Sequence, residues 1–125
     1  MAQVVVLTDV GKKVTASQVA GITSAPPKYL AVGTGIHTAS AVDTSLTTEV
    51  ESRVGVNSAT LMTTSATDDT IQVEQTVTAT GVHAITECGL FDAITGGNMY
   101  LSATFDTVTL QNGDSIKSTS RVQYT

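Results

Sequence analysis

The sequence predicts a mainly β fold: an antiparallel β-sandwich or jelly-roll-like single domain with one short N-terminal helix. Hydrophobic residues make up 41% of the chain and charged residues only 14%, and Thr and Val are abundant. These β-branched residues suit a pleated surface better than a helix. Short apolar runs, seven or eight in all, are separated by Gly, Asn and Asp, as in antiparallel sandwiches. The 125 residues fit one domain, spanning 1–125.

The N-terminal run is unusually apolar, with only Gln3 interrupting residues 2–7. One interpretation is a first strand inside its own domain. The other is a terminal arm, within residues 1–8, that adds to the sheet of a neighbouring subunit. An apolar terminus needs a partner to cover it, so we favour the arm. Its predicted assembly interface consists of Val4, Val5, Val6 and Leu7.

A short helix is predicted next, over about residues 10–21. Thr8 and Asp9 offer an N-cap, and Gly21 with the Pro26-Pro27 pair prevents continuation. Apolar residues recur at roughly helical spacing between these signals, namely Val10, Val14, Val19 and Ile22.

The remaining elements are predicted from alternation and turn residues. A strand over 29–32 ends in a tight Gly33-Thr34-Gly35 turn, and residues 43–49 suit a single capped helical turn. Residues 58–67 and 70–80 form a hairpin joined at Asp68-Asp69, and the last strand spans 116–124. The apolar phase changes between Phe105 and Val108, which predicts a bulge near residues 106–107.

Two segments carry a resemblance to a known group of proteins. The first is Lys28-Tyr29-Leu30-Ala31-Val32-Gly33-Thr34-Gly35, followed by Asp43-Thr44, Leu46 and Glu49. The second is Glu87-Cys88-Gly89-Leu90-Phe91-Asp92-Ala93, followed by Asn112-Gly113-Asp114-Ser115. Together they resemble short β-rich bacteriophage virion proteins labelled capsid-decoration (cement) or tail-fibre proteins. The resemblance covers most of residues 26–116.

The resemblance implies a non-enzymatic structural protein of a tailed phage virion. We expect a capsid-decoration protein, a homotrimer that binds the major capsid protein on the outer capsid surface and stabilises the shell. The alternative is a tail-fibre or baseplate accessory protein that contacts the host surface. A more remote alternative is a carbohydrate-binding β-sandwich, but such modules present aromatic platforms. This chain has no Trp, three Tyr and two Phe.

The charge balance argues against nucleic acid as a partner. Six basic and eleven acidic residues give a net charge of −5, and Lys12-Lys13 is the only adjacent basic pair. Binding to phosphates needs clustered Lys and Arg. No apolar run approaches the ~20 residues that span a bilayer, so we expect neither a membrane partner nor a signal peptide. Synthesis in the host cytoplasm is expected.

Catalytic and cofactor motifs are not evident. His37 and His83 lack neighbours with metal-ligand spacing, and Gly33-x-Gly35 fits neither a dinucleotide nor a phosphate loop. A Ser-His-Asp arrangement stays open because its members can be distant in sequence. The sequence therefore predicts no catalytic residues, no metal, no cofactor and no small-molecule substrate. The single cysteine, Cys88, is expected to be a small buried hydrophobe.

Glu87 stands out because it interrupts an apolar strand. A carboxylate buried without partners costs several kcal/mol. We therefore expect Glu87 to be a structural buried carboxylate, bound by backbone amides or by Arg53 or Arg121.

Overall fold

The computed structural model describes residues 3–22, 26–55 and 58–124. Within them the chain forms two antiparallel sheets and one helix, which confirms the predicted fold class. The elements are, in chain order, β1 (Gln3–Leu7), α1 (Asp9–Val19), β2 (Tyr29–Gly33), β3 (Glu49–Gly55), β4 (Ser58–Met62), β5 (Thr70–Thr78), β6 (His83–Phe91), β7 (Met99–Leu110) and β8 (Ser115–Gln123).

The two sheets enclose the main core. The larger has the strand order β1-β7-β6-β2-β3, and the smaller has the order β4-β5-β8. Across the sandwich β5 lies near β3, whereas β8 faces β6, β7 and β1. The core is formed by buried apolar residues of both sheets and of α1, including Val14, Leu30, Val73, Val77, Ile85, Leu90, Leu101 and Leu110.

The N-terminal run is the first strand of its own domain, and our preference for a separate arm is corrected here. β1 pairs with β7 of the same chain, with Val5 opposite Ala103 and Leu7 opposite Leu101. Pairing with β7 satisfies the backbone groups along one edge of β1 within the chain. Ala2 lies outside the described residues. Val4 and Val5 stay 38% and 52% exposed, so a contact of this edge strand with another subunit remains a prediction.

Helix α1 begins at the predicted cap. The Thr8 hydroxyl accepts a hydrogen bond from the Gly11 amide at 2.9 Å and donates one to the Met99 carbonyl at 2.6 Å, which joins the helix start to β7. The helix ends at Val19, two residues before the predicted end, and Gly21 follows with φ of +76°. In the described part of the chain no helix has the length and apolar character needed to cross a membrane.

Hydroxyl groups join α1 to both sheets. Tyr100 of β7 contacts the hydroxyls of Thr15 in α1 and of Tyr124, which follows β8. Burial, and to a smaller extent Tyr124, raises the pKa of Tyr100 to about 12. The phenol is therefore neutral at physiological pH and acts as a hydrogen-bonding group.

The 58–80 hairpin is present, but its first strand is shorter than predicted. β4 ends at Met62, and the carboxylate of Asp69 accepts hydrogen bonds from the amides of Thr64, Ser65 and Ala66. These amide bonds hold the pKa of Asp69 far below its usual value. The turn is therefore a longer loop, closed by an aspartate side chain rather than by continued strand pairing.

The predicted bulge in β7 is confirmed. Ile85 pairs with Val108 and Glu87 with Thr104, so one residue of β6 lies opposite three of β7. Because of these extra residues, the side chains of Val108 and Leu110 pack on the core side of the sheet.

Candidate functional site

The long connection between β2 and β3, residues 34–48, covers the outer face of the larger sheet. We call it the 34–48 loop. Its Leu46 packs with Phe91 and Met99 in a second, smaller apolar cluster. Its Ala39 amide donates to the Thr104 hydroxyl of β7 at 3.2 Å. The helical turn predicted over 43–49 does not form, because the loop amides bind a carboxylate of the sheet instead.

That carboxylate is Glu87, at the centre of β6. Its side chain is 0% exposed. Oε2 accepts hydrogen bonds from the amides of Gly35 at 2.9 Å and Thr48 at 2.8 Å, and Oε1 accepts one from the amide of Thr47 at 2.9 Å. Glu87 thereby binds both ends of the 34–48 loop to the sheet. Hydrogen bonds that involve a charged group are stronger than neutral ones.

The predicted partners of Glu87 were backbone amides, Arg53 or Arg121, and in the structure the backbone amides bind it. Arg53 instead pairs with Glu49 at 3.0 Å, and its guanidinium lies 3.8 Å from the centre of the Phe91 ring. Arg121 belongs to the opposite sheet and donates to Gln72 at 2.6 Å. The alternative ties to Arg53 and Arg121 are not formed, since each guanidinium has another partner.

A histidine joins Glu87 to a second carboxylate. Nδ1 of His37 lies 3.4 Å from Oε1 of Glu87, and Nε2 lies 3.4 Å from Oδ2 of Asp43. The same Asp43 oxygen accepts a hydrogen bond from the Ser102 hydroxyl of β7 at 2.7 Å. The middle of the loop is thus bound to the sheet by side chains, as its ends are bound by amides. No spacing rule brings His37, Asp43 and Glu87 together, and the sequence analysis missed this cluster.

Two glycines make room for the carboxylate. A Cβ on Gly33 would lie 2.5 Å from Oε2 of Glu87, and a Cβ on Gly35 would lie 2.6 Å from the same atom. Residues 34–40 form neither a turn nor a bend, and neither glycine has a positive φ, so the predicted tight turn is wrong. They are needed for close approach of the backbone to Glu87.

Asp43 makes the loop sensitive to acid. Partial burial acts to raise its pKa, but the Ser40 amide, the Ser102 hydroxyl and His37 together hold that pKa below its usual value. Its stabilising effect is therefore complete above the unfolded pKa of about 3.9 and is lost as the pH falls towards the lower folded value.

We expect Asp43→Asn to lower the free energy of unfolding at pH 7 by about 1–2 kcal/mol, since it removes charged hydrogen bonds. Below pH 4 the difference between wild type and variant should shrink. Urea denaturation at pH 7, 4 and 3 measures it. A difference that stays constant across this range would show that the charge of Asp43 has no role.

The site is arranged to hold a loop. Thr47, His37 and Asp43 have the order of a nucleophile, base and acid, with 3.1 Å between the Thr47 hydroxyl and Nδ1. The amides that would stabilise an oxyanion beside Thr47, however, already bind Glu87. Among the described residues no group of three or more His, Cys, Asp or Glu is placed to hold a metal ion.

Cys88 is partly buried and packs against the main core, in keeping with the small hydrophobe that the sequence predicts. Burial, followed by the charge of neighbouring Glu87, raises the pKa of its thiol to about 11. The thiol is therefore protonated at neutral pH and is a weak nucleophile.

A second polar cluster lies at the cleft between β3 and β5, which has a volume of about 600 Å³. Glu51 adopts a φ of +62° where the pairing of β2 and β3 is irregular. Its carboxylate binds the Thr80 amide and hydroxyl and lies 2.9 Å from Nε2 of His83. The bonds to Thr80, and then His83, lower the pKa of Glu51. Both histidines of the chain therefore connect separate elements through carboxylates.

The comparison with protein families gives a match over nearly the whole fold. Residues 8–123, from the cap of α1 to the end of β8, match the family described as podophage GP4 fiber I protein gp80. No curated protein and no solved structure matches the chain. The family agrees with the phage resemblance of the two sequence segments at the level of a structural virion protein. The chain belongs to the podophage GP4 fiber I protein gp80 family.

Proposed function

We propose that this protein is a non-enzymatic structural subunit of a podophage fibre. The main support for this proposal is the family match over residues 8–123. The contacts of the buried and partly buried polar side chains are consistent with a structural role. Glu87, His37, Asp43, Glu51 and His83 all bind other parts of the same chain, so they rigidify the fold.

We further propose that the protein acts as a homo-oligomer, a trimer by the resemblance noted above, without a cofactor. A role as a capsid-decoration protein, bound to the major capsid protein on the outer capsid surface, is the alternative. The low charge and the exposed apolar residues of the domain suit repeated protein contacts in either setting.

Gold-labelled antibodies against the purified chain, applied to intact particles, test the location. Label at the fibres is the expected result. Label spread over the head would replace the fibre role by decoration, and a mock-stained particle population provides the control. Purified particles that lack the chain by mass spectrometry would contradict any virion role.

A further inference from the structure

The two sheets of the sandwich are offset, and this leaves part of the larger sheet uncovered. Val5 of β1 pairs with Ala103 and shares its inner face, yet Val5 is 52% exposed. The smaller sheet extends only as far as β8. Between β8 and the inner face of β1 and β7 lie two cavities of about 300 and 260 Å³, with Gln3, Cys88 and Ser118 in the walls of both.

At the opposite side the smaller sheet is uncovered in the same way. Leu61 of β4 pairs with Ile71 of β5, which packs against the core, so Leu61 also points to the inner face. Leu61 is nevertheless 63% exposed. Each side of the domain thus presents an inner-face apolar side chain that the other sheet of the same chain does not cover.

Both uncovered positions lie beside a strand edge that no other described part of the chain pairs with. β4 and β8 are the two outer strands of the smaller sheet. β8 pairs with β5 in an unbroken register from Ser115 to Gln123, without a bulge or proline that would protect its outer edge. A long, regular edge strand is a template for another strand.

We propose that the domain self-associates head to tail, with β4 of one copy added to β8 of the next. The smaller sheet would continue across the contact, and Leu61 would cover Val5 and the cavities beside it. β4 and β8 both run antiparallel to β5, so the new pair would be parallel. The offset of the two sheets lets the overhanging β4 of one copy lie over the uncovered β1 of the other.

The charges favour β4 over a second β8 as the added strand. β8 carries Lys117 and Arg121, whereas residues 58–62 contain no charged residue. Antiparallel pairing of two β8 strands about Thr119 would place Lys117 opposite Arg121, and like charges directly opposite destabilise a sheet. Addition of β4 brings no second positive charge to this edge.

A contact of this kind joins two different surfaces, so it is heterologous and produces rings or open chains. One five-residue strand is small beside the ~800 Å² per partner of a standard interface, so association should depend on concentration. The inference extends the proposed structural role, but it is tested in solution. Its failure would leave the location of the protein in the particle unaffected.

The test uses two single variants at exposed positions, Leu61→Asp and Val5→Asp. By light scattering from about 10 µM to 1 mM, wild type should reach masses of at least twice the 12.9 kDa chain mass. Each variant should remain monomeric, with a dissociation constant raised at least about tenfold by the cost of burying a charge. Val82→Asp, at a 65% exposed position in another part of the chain, is the matched control and should associate like wild type.

Mixing the two variants separates a head-to-tail contact from a symmetric one. The Leu61→Asp chain keeps an intact β1 side, and the Val5→Asp chain keeps an intact β4. The mixture should therefore form dimers but nothing larger. Circular dichroism shows that each variant is folded. A wild type that stays monomeric at 1 mM, folded variants that associate like wild type, or a mixture that stays monomeric would each overturn the proposal.

Discussion

Replacing Glu87 by alanine should lower the free energy of unfolding by about 3 kcal/mol, because it removes a buried charged acceptor from three amides. The amides of Gly35, Thr47 and Thr48 lose their acceptor, and His37 loses one of its two carboxylate neighbours. Both ends of the 34–48 loop are then released together. Chemical denaturation gives the free energy, and hydrogen exchange at these three amides gives the local effect.

Glu87→Gln keeps one acceptor oxygen and the side-chain shape, so we expect a smaller loss of about 1–2 kcal/mol. Glu74→Ala is the control, since Glu74 is a partly exposed carboxylate whose ion pair with Lys117 is 3.6 Å long. Such a pair contributes at most about 1 kcal/mol. If Glu87→Ala proved no more destabilising than Glu74→Ala, the carboxylate would not anchor the loop.

Gly35→Ala should be almost as damaging, with a loss of about 2–3 kcal/mol, because it inserts a methyl group where there is no space. The new Cβ would lie 2.4 Å from the Cβ of Thr47 and 2.6 Å from Oε2 of Glu87. Either the loop or the carboxylate must move, and the bonds between them lengthen. Thermal unfolding, together with exchange at the Thr47 and Thr48 amides, measures both consequences.

Gly55→Ala is the matched control for this substitution. Among the described residues, a Cβ at Gly55 meets only Cε1 of Tyr29, at an ordinary contact distance of 3.8 Å. The change should therefore alter stability by less than about 1 kcal/mol. Equal melting temperatures for the two alanine variants would show that the space around Glu87 is not restricted.

Features that depend on residues close together in the chain could be predicted from the amino-acid pattern. The Thr8 cap needs only the amide of Gly11, and the β7 bulge follows from a change of phase between Phe105 and Val108. A buried and hydrogen-bonded Glu87 was predictable in the same way, because an acidic residue inside an apolar strand requires partners.

The partners of Glu87 depend on contacts between segments that are distant in the chain. His37 contacts Glu87, and Asp43 contacts His37, from a loop that has no periodicity. No local rule predicts where such a loop crosses a sheet. Gly33 and Gly35 were interpreted through their backbone freedom, yet the structure uses their lack of a side chain beside an atom that is distant in sequence. The edge position of β1 and the offset of the sheets were likewise not predictable from the local residue pattern. Strand order and coverage depend on contacts between distant segments, whereas the residue pattern within a strand specifies only which of its faces is buried.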